Sequence, residues 1–141
     1  MRKLFELNVV TAEEEIFSGK ASKLIATGFY GEFEVLHNHS AFLTTLSPGQ
    51  LWYTDELGEN HGIIVFGGIL EVQPLITTVL ADSSIRKEDI DEEAILRTKK
   101  DIERDIDKGY KDFDYAKARV ELALAVAQLK FLRKYRLIKS I

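Results

Sequence analysis

Apolar and polar positions alternate with a period of two at the start of the chain. Over Leu4–Val10, Phe5, Leu7 and Val9 fall on one face and Glu6 and Asn8 on the other, as in a strand with one buried side. Short segments of similar character follow at Glu15–Phe17, Ser22–Thr27, Phe33–Leu36, Phe42–Leu46, Gln50–Asp55, Gly62–Phe66, Ile69–Gln73 and Ile76–Leu80. Turn formers punctuate them: Ser18-Gly19, Gly28, Gly31, Pro48-Gly49, Gly58, Gly67-Gly68 and Pro74. Many short strands at close spacing predict an antiparallel sandwich or flattened barrel. Glu56–Asn60 is polar and reads as a hairpin tip. Gly67-Gly68 lies between two strands rather than before a helix, so it reads as a bulge or tight bend and not as a phosphate-binding loop.

The pattern changes near Asp82. Beyond it there is one glycine, Gly109, and no proline. Asp89-Ile90-Asp91-Glu92 has the form of a helix N-cap followed by an acid. Ile90, Ala94, Thr98, Ile102 and Ile106 then recur every four residues in a charged segment, which predicts a helix with a narrow apolar stripe. Gly109 suits the left-handed cap that ends it. Asp112 or Asp114 caps a second helix, with Tyr115, Ala118, Leu122, Ala125, Leu129 and Leu132 on one face. The alanines favour helix and close approach of a neighbour. Two helices with a short loop predict an antiparallel hairpin.

Charge in the hairpin is lopsided. Acids crowd the first helix, whereas Lys130, Arg133, Lys134, Arg136 and Lys139 stand in the last twelve residues with no acid after Glu121. Helix-dipole complementarity accounts for part of this. The bases are interleaved with Phe131, Leu132, Tyr135, Leu137 and Ile138, which suits docking on an acidic protein surface or an anionic membrane.

Composition narrows the field. The 141 residues are 45% hydrophobic and 30% charged, as in a globular protein. A net charge of −4 gives no support for nucleic-acid binding. With no cysteine, disulfides and thiolate chemistry are excluded. Met1-Arg2-Lys3-Leu4-Phe5-Glu6 meets an acid too early for a signal peptide, and no apolar run approaches the roughly twenty residues of a membrane helix. No direct membrane insertion is expected.

Catalytic chemistry finds little purchase. His37-Asn38-His39 is the closest pair of histidines, but zinc needs three or four ligands, and Glu32 and Glu34 do not complete a set by spacing. No metal and no cofactor are expected. No serine stands in a nucleophile elbow. The residues alone thus indicate a partner-binding protein rather than an enzyme.

Several runs carry a family resemblance: Asn8–Glu13, Ile16–Gly19, Gly31-Glu32-Phe33, His39, Pro48-Gly49, Gly67–Gln73, Val79–Asp82, and Asp114-Tyr115-Ala116 leading to Ala127-Gln128-Leu129. In these, over nearly its whole length, the chain resembles the epsilon subunit of F-type ATP synthases. The resemblance implies a flattened antiparallel β-sandwich of about ten strands over 1–85 and a regulatory helical hairpin over 86–141. It implies a central-stalk subunit at the cytoplasmic face of the inner membrane. That subunit links gamma to the c-subunit ring during synthesis driven by a proton gradient. It implies no catalytic residue. Glu32 and His39 become candidate rotor contacts. The hairpin is implied to inhibit hydrolysis by entering the head, where Lys130, Arg133, Lys134 and Arg136 would meet the beta and alpha subunits.

Two departures stand out. Glu34, His37-Asn38 and Ser40-Ala41 replace the family's usual glycines and prolines, which changes the stiffness of that loop. Some members bind ATP in the folded hairpin through an Ile/Leu-Asp-x-x-Arg-Ala motif. Here Asp91 is kept, but Ala94 stands at the arginine position, and Leu124 and Gln128 stand where the second helix would supply arginines. No nucleotide site is therefore expected. The alternative, from the residues alone, is a free-standing β-sandwich module whose basic helix docks on membranes.

Overall fold

The computed structural model describes residues 3–139, so Met1, Arg2, Ser140 and Ile141, which enter the readings of both termini, lie outside the described residues. The chain divides between Arg86 and Lys87 into two compact units.

The first unit holds seven strands among the described residues: β1 (Phe5–Val10), β2 (Glu15–Gly28), β3 (Gly31–Val35), β4 (Phe42–Asp55), β5 (Asn60–Val72), β6 (Ile76–Ala81) and β7 (Ser84–Arg86). The sheet order is β1-β6-β5-β4-β2-β3, with β7 on β5 and a further β1–β2 pairing. That last ladder closes the ring, so the sheet folds onto itself as the flattened sandwich that the alternation predicts. The pairing of β1 with β6 is parallel; the other ladders are antiparallel.

Six of the short segments merge pairwise into the long strands β2, β4 and β5. Each long strand runs through or ends on residues that read as turns in the sequence. The β2–β4 register slips between Ile25 and Gly28, and β4 carries Pro48-Gly49 at its middle. At Gly67 and Gly68 the backbone has φ of 107° and 135°, a region closed to most L-residues. The predicted bend is therefore present, but inside a continuous strand. β7 is too short to show a period in sequence.

The core is the inward set of this alternation. Leu7, Val9, Leu24, Leu51, Leu70, Val72 and Val79 are fully buried, with Phe5, Val35 and Tyr53 beside them. Burial pushes the Tyr53 hydroxyl up to about 12, so it stays protonated.

The second unit is the helical hairpin. One 3-10 turn at Lys87–Asp89 precedes α1 (Glu92–Lys108) and α2 (Tyr115–Lys139). The N-cap of α1 is Asp91, whose carboxylate accepts from the Ala94 amide at 3.2 Å, two residues later than the first acid of that run. Gly109 ends α1 at φ 65°, ψ 41°. Asp114 rather than Asp112 caps α2, accepting from the Lys117 amide at 3.0 Å. Ile102 is the one buried residue of α1. On α2, Ala118, Ala125 and Leu132 are buried at the predicted seven-residue spacing, and Phe131 joins them.

Candidate functional site

Three places in the molecule have chemistry to spare. The first is the outer face of the sandwich. Registers place Thr45, Ile69, Leu80 and Val10 side by side across β4, β5, β6 and β1. The next rows bring Leu43 beside Glu71, and Ile76 beside Glu6. These residues alternate with the buried core set, so they point outward. Leu43, Ile69, Ile76 and Leu80 are all exposed. The result is an outward row with Ile69, Leu80 and Val10, flanked by exposed Leu43 and Ile76 with the polar Glu71, Thr78, Asn8 and Glu6 among them. Exposed apolar groups of this kind mark interaction surfaces.

The second is one end of the same sandwich. The β2–β3 turn carries Phe29 and Tyr30, 70% and 95% exposed, with their rings edge to face at 5.0 Å. Glu32 follows on β3, exposed and opposite Thr27. β3 ends the sheet order, and charged residues on an edge strand also discourage unwanted strand pairing. The loop after β3 turns at Asn38, φ 63°, whose amide donates to the Pro74 carbonyl at 3.1 Å. This joins the loop to the exposed β5–β6 turn with Leu75. His39 Nδ1 donates to its neighbour's carbonyl, Ser40 O, at 2.8 Å, and its ring lies 6.3 Å from that of Phe42. Glu32 and His39 thus lie on the β3 edge and in its following loop, with no hydrogen bond or ion pair joining them among the described residues.

Among the described residues, the histidine whose ligand atoms converge with acids is not in the His37–His39 pair. It is His61, grouped with Asp55 and Glu59 at the β4–β5 hairpin. His61 Nε2 lies 2.8 Å from Asp55 Oδ2; a carboxylate can only accept, so Nε2 carries the proton. The other oxygen of Asp55 accepts from the Leu57 and Glu59 amides, both at 2.9 Å. Desolvation raises the Asp55 carboxyl, but these hydrogen bonds and the His61 charge together outweigh it and hold the group below its ordinary value. The arrangement fastens the hairpin tip. Its sequence signal is an Asp and a His flanking the polar Glu56–Asn60 turn on opposite strands.

The third place is the helical hairpin. Lys130 and Arg133 are exposed on α2 and Lys134 is half-buried. Arg136 is also exposed, but its guanidinium grips Glu92 of α1 through both oxygens. Phe131 and Leu132, which the sequence interleaves with the tail's bases, are buried, Leu132 on the face predicted to pack. The structure does bring Asp91, Ala94, Leu124 and Gln128 to one cleft of about 330 Å³ between α1 and α2. Asp89 and Glu121 also line it, and among the described residues its lining holds no lysine or arginine. Carboxylates without guanidinium donors do not fit a polyphosphate.

The described residues thus form a closed sandwich with exposed apolar side chains on its outer face and a charged helical hairpin. Residues 4–87 match the family model described as the ATP synthase delta/epsilon chain, beta-sandwich domain, and the chain belongs to that family. It is also similar to a chain in the cryo-EM structure of the Euglena gracilis mitochondrial ATP synthase, OSCP/F1/c-ring in rotational state 1. The identity there is 19%, over 89% of this chain and 75% of that one, with a TM-score of 0.67. A second similar chain comes from the Tetrahymena thermophila mitochondrial ATP synthase central stalk and c-ring. It shows 17% identity over 92% of this chain and 98% of that one, with a TM-score of 0.56. At these identities the likeness speaks for the fold, hairpin included.

Proposed function

We propose that the chain is a non-catalytic, epsilon-type subunit of the central stalk of an F-type ATP synthase. The sandwich, about residues 1–85, binds gamma and rests on the c-ring; the hairpin, about 86–141, restrains ATP hydrolysis. The observation that carries this is the outward row of Ile69 and Leu80 with Leu43 and Ile76, an apolar face on a chain of the delta/epsilon family. Gamma covers this face. The end with Tyr30, Glu32 and His39 faces the ring. In the similar structures the assemblies are named as F1/c-ring and as central stalk/c-ring, which supports the central-stalk reading. No helix among the described residues is long and apolar enough to cross a membrane, so attachment to the membrane runs through the ring. Inhibition is supported by the exposed bases Lys130 and Arg133 on α2, which suit an acidic surface of the catalytic head.

The test is co-assembly. Replacing Ile69 and Leu80 with Ser should leave the isolated chain folded and abolish its co-purification with gamma. Retention of gamma binding by that variant would overturn the docking assignment. Removing residues 88–141 should raise hydrolysis by the assembled complex while assembly persists. The alternative of a membrane-docking helix needs the apolar side chains of the tail outward, and the burial of Phe131 and Leu132 speaks against it.

A further inference from the structure

Arg136 and Glu92 are 44 residues apart in sequence and meet at the open end of the hairpin. Glu92 is the first residue of α1, directly after its cap, and Arg136 lies in the last turn of α2. Nη1 donates to Oε1 at 3.0 Å and Nη2 donates to Oε2, a fork-to-fork pair. The guanidinium holds the Glu92 carboxyl below its ordinary value. At the same end the Lys87 ammonium lies 5.4 Å from the centre of the Tyr135 ring. These contacts bridge helices that share a thin apolar seam, since Ile102 is the only buried residue of α1.

An exposed ion pair adds little to stability. Its larger effect is on availability. A guanidinium gripped through both donors cannot offer the same fork to another carboxylate. We infer that Glu92 is an internal competitor for Arg136. While the hairpin is closed, Glu92 occupies the group that an acidic protein surface would take, so opening the hairpin and arming its basic tail are one event. Arg136 thereby differs from Lys130 and Arg133, which present their charges in the closed hairpin. The inference rests on the proposed docking of the tail on the catalytic head, and it makes Glu92 a positioning residue for that docking.

Two measurements separate the parts. The chain has no native cysteine, so spin labels at Glu93→Cys and Lys130→Cys report the gap between the helices in the isolated full-length chain. Glu92→Gln should raise the open fraction about two- to five-fold, and the reversed pair Glu92→Arg/Arg136→Glu should return it to the parent value. An unchanged open fraction in Glu92→Gln would overturn the latch, whatever the assembled complex does. Without labels, in the assembled complex, Glu92→Gln should deepen inhibition of hydrolysis. The reversed pair, closed but without the arginine, should inhibit less than the parent. If Glu92→Gln opens the hairpin while the reversed pair, closed and without the arginine, inhibits as strongly as the parent, the latch stands and the docking reading on which its role depends fails. Far-ultraviolet circular dichroism confirms that each variant remains helical.

Discussion

A Cβ added to Gly68 would sit 2.1 Å from the Leu80 carbonyl oxygen on the neighbouring strand, where β5 pairs with β6 and Gly68 lies opposite Ala81. Gly68 also holds φ at 135°. Backbone strain and overlap with a main-chain atom, which cannot rotate away, therefore act together. Gly68→Ala should destabilise the sandwich by about 3 kcal/mol or more. Urea unfolding followed by Trp52 fluorescence measures this. Gly31→Ala, at φ 120° but with open space around it, meets only the strain and should cost less.

Thr77 presents the opposite case, a side chain the core does not serve. It faces inward between Leu7 and Val72, is fully buried, and its hydroxyl has no hydrogen-bond partner among the described residues. Valine has nearly the same shape without the buried polar group. Thr77→Val should stabilise the chain by about 1 kcal/mol or more. The midpoint of urea unfolding should rise at unchanged slope; a fall would mean that the hydroxyl has a partner in solution, such as a buried water.

The Asp55–His61 fastener should show in the pH dependence of stability. Because the folded state holds the Asp55 carboxyl below its ordinary value of 3.8, its contribution is complete above that value. It fades as pH falls through the depressed folded value, where the proton displaces the hydrogen bonds. The parent should therefore be more stable than Asp55→Asn at neutral pH, and the two curves should converge in acid. Melting temperatures taken between pH 7 and pH 2 test this, and parallel curves would remove Asp55 as a contributor.

Much of the fold is legible in the sequence because alternation records which side of a strand is buried. Phe5, Leu7 and Val9 show it directly, and Gly109 and Asp114 mark helix ends by local backbone chemistry. What sequence does not show is continuity through a bend. Glu15–Phe17 and Ser22–Thr27 read as separate strands because Ser18-Gly19 looks like a turn, yet hydrogen bonding to β1 carries β2 through it. The sites divide the same way. Glu32 and His39 are candidates only through the family resemblance, not through their own spacing. The Glu92–Arg136 pair could not be read from sequence, since it exists only once the hairpin fixes which ends meet. The outer face is legible in part: Ile69 and Leu80 are the polar-side positions of their strands occupied by apolar residues, but the registers are needed to place them side by side.

The tail bases should not behave alike. Lys130 and Arg133 are exposed and keep their charge on offer in the closed hairpin, so removing either subtracts one favourable contact from docking and nothing else. Removing Arg136 subtracts a contact and also releases the end of the hairpin. The two consequences oppose each other, because a more open hairpin docks more often while the docked state is weaker. Arg133→Gln should therefore reduce inhibition of hydrolysis more than Arg136→Gln does. Each should shift the apparent affinity by no more than about tenfold, the scale of one partly exposed charge pair. Salt separates them further. Within about 0.05 to 0.3 M, screening weakens every exposed pair. For the parent it weakens both latch and docking, whereas for Arg136→Gln only the remaining docking contacts respond. Hydrolysis by the assembled complex, titrated with salt for both variants, should give the shallower loss of inhibition for Arg133→Gln, in which the latch still loosens in compensation. Identical losses in the two variants would place Arg136 among ordinary surface bases.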